Sequence, residues 1–276
     1  MRPVAFVFVF AFLAAAPLRA QHDEGPVRFV RYEQGGHTSY GVLQGERIME
    51  IDGDLFGAHR PTDRWVGLAD VTLLPPTPAK KVIAVGLNYR SHLGDRAPSE
   101  YPGLFAKYPT SLVGQGEDIL APPDATNLHY EGEMVLVIGR TCADVSEDEA
   151  MDCVFGITAG NDVSERNWQR DDLQWLRAKG SDTFGPVGPT IARGVDPDDV
   201  LVETRVNGEV RQHERTSDLI FPTAAIVSYV SRYVTLEAGD LIFTGTPQTT
   251  QALELGDVVE VEVEGVGTLR NTVRRR

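Results

Sequence analysis

Alternation of apolar and polar residues is clearest near the two ends of the chain. Between residues 26 and 70, VRFVRYE, TSYGVLQ and ERIMEID read as short strands broken by glycine, with residues 63–70 expected as a short helix. Toward the other end, DVVEVEVEGVGTLRNTV alternates cleanly and predicts half-buried strands. The middle is different, because its apolar residues come in runs. KVIAVGLNY begins as a buried strand and turns at Gly86. LHYEGEMVLVI, residues 128–138, has a polar start and an apolar finish, and DLIFTGTP is a buried strand ending at Gly245-Thr246-Pro247. Asn207-Gly208 between two alternating runs marks a two-residue hairpin. Helical spacing follows a Ser146-x-x-Glu149 capping box into AMDCVFGI, recurs over 163–170, and continues after Pro222 through AAIVSYVSRYV. The proline-rich LLPPTPAKK, residues 73–81, is the best boundary between a small N-terminal β-rich domain (26–72) and a larger domain. The pattern as a whole predicts an α+β, β-rich protein.

Charge and chain ends narrow the partners. The 276 residues carry a formal charge of −14, which argues against a nucleic-acid or anionic-membrane partner. Any anionic substrate would need local cations or a metal. Arg2, the apolar run from Val4 to Ala16, and Pro17 to Gln21 read as a signal peptide, residues 1–20, with Ala20 as its last residue. The run is too short for a comfortable transmembrane helix, so the mature chain is expected to be exported, periplasmic or secreted, without stable membrane association. The cysteines are Cys142 and Cys153. Cys153 falls in an apolar helical pattern and reads as a buried free thiol; a disulfide is the alternative in an exported protein.

Chemistry concentrates at the polar start of 128–138. Side chains two apart on a strand share a face, so Glu131 and Glu133 point the same way, with His129 beside them. Carboxylates crowded against an apolar wall repel and lose hydration, and a hard cation would relieve both penalties. Asp162, in GNDVSERNWQ, is the next acid expected to join. Three carboxylates without a cysteine favour Mg2+, Mn2+ or Ca2+ over Zn2+; the plainer reading is a solvated strand edge. Asp162, Arg166 and Gln169 would share one face of a helix, or form an ordinary salt-bridged surface. His92 with Asp95 three residues on would make an oriented general base, or a surface pair. Lys179 enters a Gly/Pro-rich loop, where a lysine is ordinarily solvated. At Thr246 a hydroxyl and backbone N–H groups could meet a carboxylate.

Taken in order, GLNYRSH, LFAKYPTSLVG, HYEGEMVLVIGR, GITAGNDVSERNWQ, RAKGSDTFGPVGP, TSDLIFPTAAIVSYVSRYVTLEAGDLIFTGTP and LGDVVEVEVEGVGTLRN resemble the fumarylacetoacetate hydrolase family over roughly residues 80–273. The resemblance implies a mixed β-sheet/β-roll core. It also implies a divalent cation, Mg2+ first, on Glu131, Glu133 and Asp162. It assigns His92, Asp95 and Lys179 to catalysis, and Arg166, Gln169 and Thr246 to substrate. The implied reaction is hydrolytic C–C cleavage of a small 2-oxo or diketo acid, with the metal stabilising an enolate. Isomerisation of a 2-hydroxy-diene dioate or decarboxylation of oxaloacetate are alternatives on the same site, and a secreted oxo-acid-binding module is the alternative of another class. A homodimer is implied as well. The chain departs from the family pattern in three places: Asp95 where many members have Glu, QTTQALELGD after the GTP segment where members are often Gly-rich, and the leader.

Overall fold

Pairing of the alternating N-terminal strands builds the first part of the main sheet. In this computed structural model, which describes residues 25–276, Val27–Gln34, His37–Gln44, Arg47–Gly53 and His59–Gly67 form an antiparallel meander. The leader read at 1–20 lies outside the described residues. The helix expected over 63–70 is absent. Residues up to Gly67 complete the fourth strand against Arg47–Gly53, and only Leu68–Asp70 turns as a 3-10 segment. Cross-strand partners for the backbone outweigh the weak local helical spacing.

The meander continues into the larger unit. Val27–Gln34 pairs with Gly185–Arg193, and the sheet then runs through Val154–Asn161, Gly132–Ile138, Leu241–Phe243, Val82–Gly86 and Gly103–Lys107. Leu241–Phe243 and Val82–Gly86 are parallel in an otherwise mostly antiparallel array. A second sheet orders Glu209–Arg215, Leu201–Val206, Val258–Val263, Gly267–Arg275 and Asp118–Ala121, its last pair parallel. The fold is therefore strand-rich and mixed, as expected from sequence.

The apolar run MVLVI has a direct structural reason. Met134, Leu136 and Ile138 face the core shared with Val202, Val261 and Leu269 of the second sheet. Val135 and Val137 face the opposite cluster with Phe29, Phe155 and Phe243. A strand buried on both faces shows a continuous run rather than alternation.

The segment after the capping box corrects the sequence reading. Ser146 and Glu149 do form the reciprocal cap, but the helix stops at Ala150, Met151–Cys153 is a 3-10 turn, and Val154–Asn161 is a strand. Val154, Phe155 and Ile157 suit a pleated, buried surface better than a helix. Cys153 is consequently no free thiol. The ladder ends on Ile138 opposite Val154, which brings the flanking cysteines to a Cα separation of 6.2 Å, and Cys142 and Cys153 form a disulfide. The helix after Pro222 is Thr223–Ser231, packed on Val145 and Met151 through Ser228 and Thr223. Among the described residues, no helix is long and apolar enough to cross a membrane.

Candidate active site

One ladder positions the acids. Gly132 pairs with Asn161, and the Asp162 N–H donates to the Glu131 carbonyl at 2.8 Å, so the pairing runs one step beyond the strands and sets these two acids side by side. Asn161 Oδ1 accepts the Glu131 N–H at 2.9 Å, fixing the turn. Glu133, two residues along, accepts from the Gly245 N–H at 2.7 Å. Gly245 has φ +109° and a Cβ there would lie 2.7 Å from the Asn88 Cβ, so only glycine can bring this N–H in. Ligand oxygens of Glu131, Glu133 and Asp162 lie within 4.8 Å of one another, all buried.

Cations crowd the same end. Lys179 Nζ donates to Glu131 Oε2 at 2.6 Å and to Asp162 Oδ2 at 2.7 Å. It is 2% exposed at the end of the Leu176–Gly180 helix, which overturns the expectation of a solvated loop lysine. Lys107 Nζ donates to Asp162 Oδ1 and to the Lys179 carbonyl. Arg166 donates to Glu131 Oε1 and, through Nη1, to Gln169 Oε1 at 2.8 Å. The expected shared helical face is corrected in part: the helix is Arg166–Asp171, so Arg166 and Gln169 sit on it while Asp162 arrives from the strand end. Lys107 was not singled out as a site residue by the sequence. Its one signal is a lysine ending the strand Gly103–Lys107, beside the buried strand Val82–Gly86.

Ionisation follows from this packing. Burial pushes the Glu131 carboxyl up, but Lys179, Arg166 and His92 together hold it well below the usual range. Glu133 has no such neighbour in hydrogen-bond contact; burial, then the Asp162 and Glu131 carboxylates, push it well above the usual range. Burial lowers Lys107, with Asp162 opposing, whereas for Lys179 the attraction of Asp162 and Glu131 overcomes burial and raises it. This donor set fits a hard divalent cation. It has three carboxylates and no thiolate, and one of the three has no cationic partner among the described residues.

His92 lies across the cavity on the Arg90–Leu93 turn, Nδ1 facing the Gln248 carbonyl and Nε2 3.9 Å from Glu131 Oε1. Asp95 does not orient it. The turn ends at Leu93, Gly94 takes φ +61°, and Asp95 is exposed and outside the hydrogen-bond partners of His92. His129 is beside the acids but tied outward, to Thr250 Oγ1 at 2.9 Å and Asn127 Oδ1 at 3.0 Å. Burial, then Arg166, depress its pKa to about 4, so it is neutral at pH 7. Thr246 is in place but its hydroxyl is engaged, donating to the Gly132 carbonyl at 2.9 Å and accepting from Gln212 Nε2 at 2.8 Å. His92, His129 and Thr246, with Glu131, Glu133, Arg166 and Lys179, line a cavity of about 510 Å³ walled by Phe105, Trp175 and Gly86. A larger surface cleft, about 790 Å³ beside Arg28, Leu201 and Glu264, contains none of them.

Comparison with known proteins gives matches to two family models and to three proteins. Residues 81–274 match the family described as fumarylacetoacetate (FAA) hydrolase C-terminal, and residues 27–76 match Rv2993c-like, N-terminal. Protein Rv2993c of Mycobacterium tuberculosis is 47% identical over 233 residues, covering 82% of this chain and 88% of that protein. The crystal structure of 2-hydroxyhepta-2,4-diene-1,7-dioate isomerase from Mycobacterium marinum superposes with a TM-score of 0.85 at 44% identity, covering 91% of this chain and 99% of that one. Maleylpyruvate hydrolase from Sphingobium sp. SYK-6, in complex with manganese(II) and pyruvate, gives a TM-score of 0.75 at 28% identity, covering 90% and 99%.

Proposed function

The chain belongs to the fumarylacetoacetate hydrolase family, and we propose that it is a divalent-metal-dependent enzyme cleaving a C–C bond of a small diketo acid by hydrolysis. The observation that carries this reading is the convergence of Glu131, Glu133 and Asp162 on one buried point, with Lys179 and Arg166 beside them and His92 across the cavity. Mg2+ is the ion we assign, with Mn2+ as an alternative supported by the manganese in the Sphingobium hydrolase; Ca2+ also suits the donors. Glu131, Glu133 and Asp162 would hold the cation, which would supply Lewis acidity to the substrate.

The protein's own groups do the rest. His92, through Nε2, takes a proton from a water that adds to the neighbouring carbonyl. The C–C bond then breaks with its electron pair passing to the 2-oxo fragment as an enolate, which takes the proton from His92 onto carbon and returns the base to its starting state. An ammonium has three N–H groups, and Lys179 uses two of them on Glu131 and Asp162, leaving one for the developing oxyanion. Arg166, held by Gln169, adds positive charge where an acidic protein would otherwise repel an anion. Thr246 contributes chiefly by shaping the floor of the cavity, since its hydroxyl proton is committed to Gly132.

A second reading, isomerisation of a 2-hydroxy-diene dioate, is favoured by the name of the 44% identical Mycobacterium marinum structure. It needs a proton shift at His92 and no hydrolytic water, and loss of CO2 from oxaloacetate would use the same enolate-stabilising groups. Export is supported by the leader pattern and by the buried disulfide. A homodimer is supported by the exposed Tyr101 and Tyr233 rings, which pack on the half-buried Tyr229.

The test is turnover of acylpyruvates, fumarylacetoacetate, oxaloacetate and 2-hydroxy-diene dioates by the mature chain with Mg2+ or Mn2+, with EDTA and Glu131→Ala controls. Metal-dependent cleavage of a diketo acid is expected. Selective loss of CO2 or a diene shift moves the assignment to decarboxylase or isomerase. Ligand binding without turnover of any of them makes the chain a binding module.

A further inference from the structure

Residues 248–250, just beyond Thr246, touch both sides of the site. Gln248 has φ +55°, a left-handed backbone uncommon for a residue with a side chain. It is fixed from three directions. Its N–H donates to Ser91 Oγ at 2.9 Å, its Oε1 accepts from the His213 N–H at 2.9 Å, and its carbonyl meets His92 Nδ1. Two residues later, Thr250 Oγ1 accepts from Arg166 Nη2 at 2.9 Å and lies 2.9 Å from His129 Nδ1.

Proton directions follow from what each atom can do. A carbonyl oxygen only accepts, so Nδ1 of His92 carries a proton, and in the neutral ring the Nε2 lone pair is left toward Glu131. Asn127 Oδ1 also only accepts, so His129 is protonated on Nε2 and its Nδ1 is an acceptor. The Thr250 hydroxyl therefore donates to His129, and its lone pairs are what Arg166 finds. Each proton has one direction, and none involves Asp95.

We propose that residues 248–250 form a positioning strap: the Gln248 carbonyl, in place of Asp95, sets His92 as an Nε2 base, and Thr250 holds Arg166 against Glu131. Gln248 and Thr250 are positioning residues, acting through His92 and Arg166. The inference rests on the reading of His92 as the base, but the tautomer arm of its test does not depend on turnover.

The test is the tautomeric state of the histidines in the 15N-histidine-labelled full chain, with the His92 signals assigned by their loss in His92→Gln. Neutral His92 is expected with Nδ1–H and a bare Nε2, unchanged in Asp95→Asn. Gln248→Gly, which keeps the left-handed backbone but drops the tie to His213, is expected to mix the two tautomers. A tautomer that switches in Asp95→Asn and holds in Gln248→Gly would overturn the assignment. For Thr250, the valine variant is expected to shift the His129 nitrogen signals and lower kcat about 10–100-fold, a range typical of groups that orient functional side chains. Thr250→Ser should restore both. Unchanged His129 signals and kcat in Thr250→Val would remove Thr250 from the strap. A wild type that turns over nothing would sink the enzyme reading while the tautomer result stood.

Discussion

The ladder between Gly132–Ile138 and Val154–Asn161 has two unlike ends. At one, Glu131, Glu133 and Asp162 crowd like charges into a buried space; at the other, Cys142 and Cys153 close the strands with a covalent bond. Between them lies an uninterrupted apolar run, buried on both faces. The disulfide end makes few demands beyond packing. The carboxylate end holds charges that tolerate burial only because Lys107, Lys179 and Arg166 are buried or half-buried with them. The candidate site thus lies where the ladder is electrostatically least content, and the apolar run beyond it fixes the register that sets the acids side by side.

The strongest way to break this contrast is Glu133→Gln. The change removes one carboxylate and leaves the shape, so several kcal/mol of Lewis-acid stabilisation are expected to go, about three orders of magnitude in kcat/KM. The metal-free protein should behave in the opposite sense. Glu133 binds its proton more tightly folded than unfolded, so metal-free wild type should lose stability as pH rises above the unfolded carboxyl range. Glu133→Gln should flatten that slope in denaturant unfolding followed from pH 4 to 8.

Next comes Lys107→Met. Its ammonium is fully buried against Asp162, and breaking one partner of a buried pair costs about 3–5 kcal/mol. Urea unfolding should show that loss. Recovery of much of it in the double variant with Asp162→Asn would identify the uncompensated charge as the cause. At the far end, Cys142→Ser with Cys153→Ser should lower stability by about 2–4 kcal/mol for so short a loop. Metal affinity of this variant at temperatures where it is folded should match wild type. A large drop in affinity would mean that the two ends are coupled rather than independent.

The sequence made the acids legible and left their counter-charges largely hidden. Glu131 and Glu133 share a short local spacing, and the apolar run after them signals burial, so the strand could be read directly. Asp162 is the next acid expected beside them, the family pattern agrees, and the ladder register explains why. Lys107 reaches Asp162 across 55 residues and Thr250 reaches Arg166 across 84, with nothing periodic to announce either contact. Asp95 misled because a three-residue spacing implies one face only while the helix lasts, and here it ends at Leu93. AMDCVFGI misled because apolar residues at helical spacing can equally be a turn entering a strand, and the disulfide was hidden with it.

The most direct test of the central claim is calorimetric titration of the metal-free protein with Mn2+ at pH 7 in buffers of different ionisation enthalpy. Burial and the neighbouring Asp162 and Glu131 carboxylates push the Glu133 carboxyl well above the usual range, so it favours its proton until a cation replaces it, and it would ligate as a carboxylate. We therefore predict one ion per chain, net proton release on binding, an apparent affinity that weakens as pH falls, and loss of binding in Glu133→Gln. Saturable binding that releases no proton and survives Glu133→Gln, or no binding at all, would contradict the account.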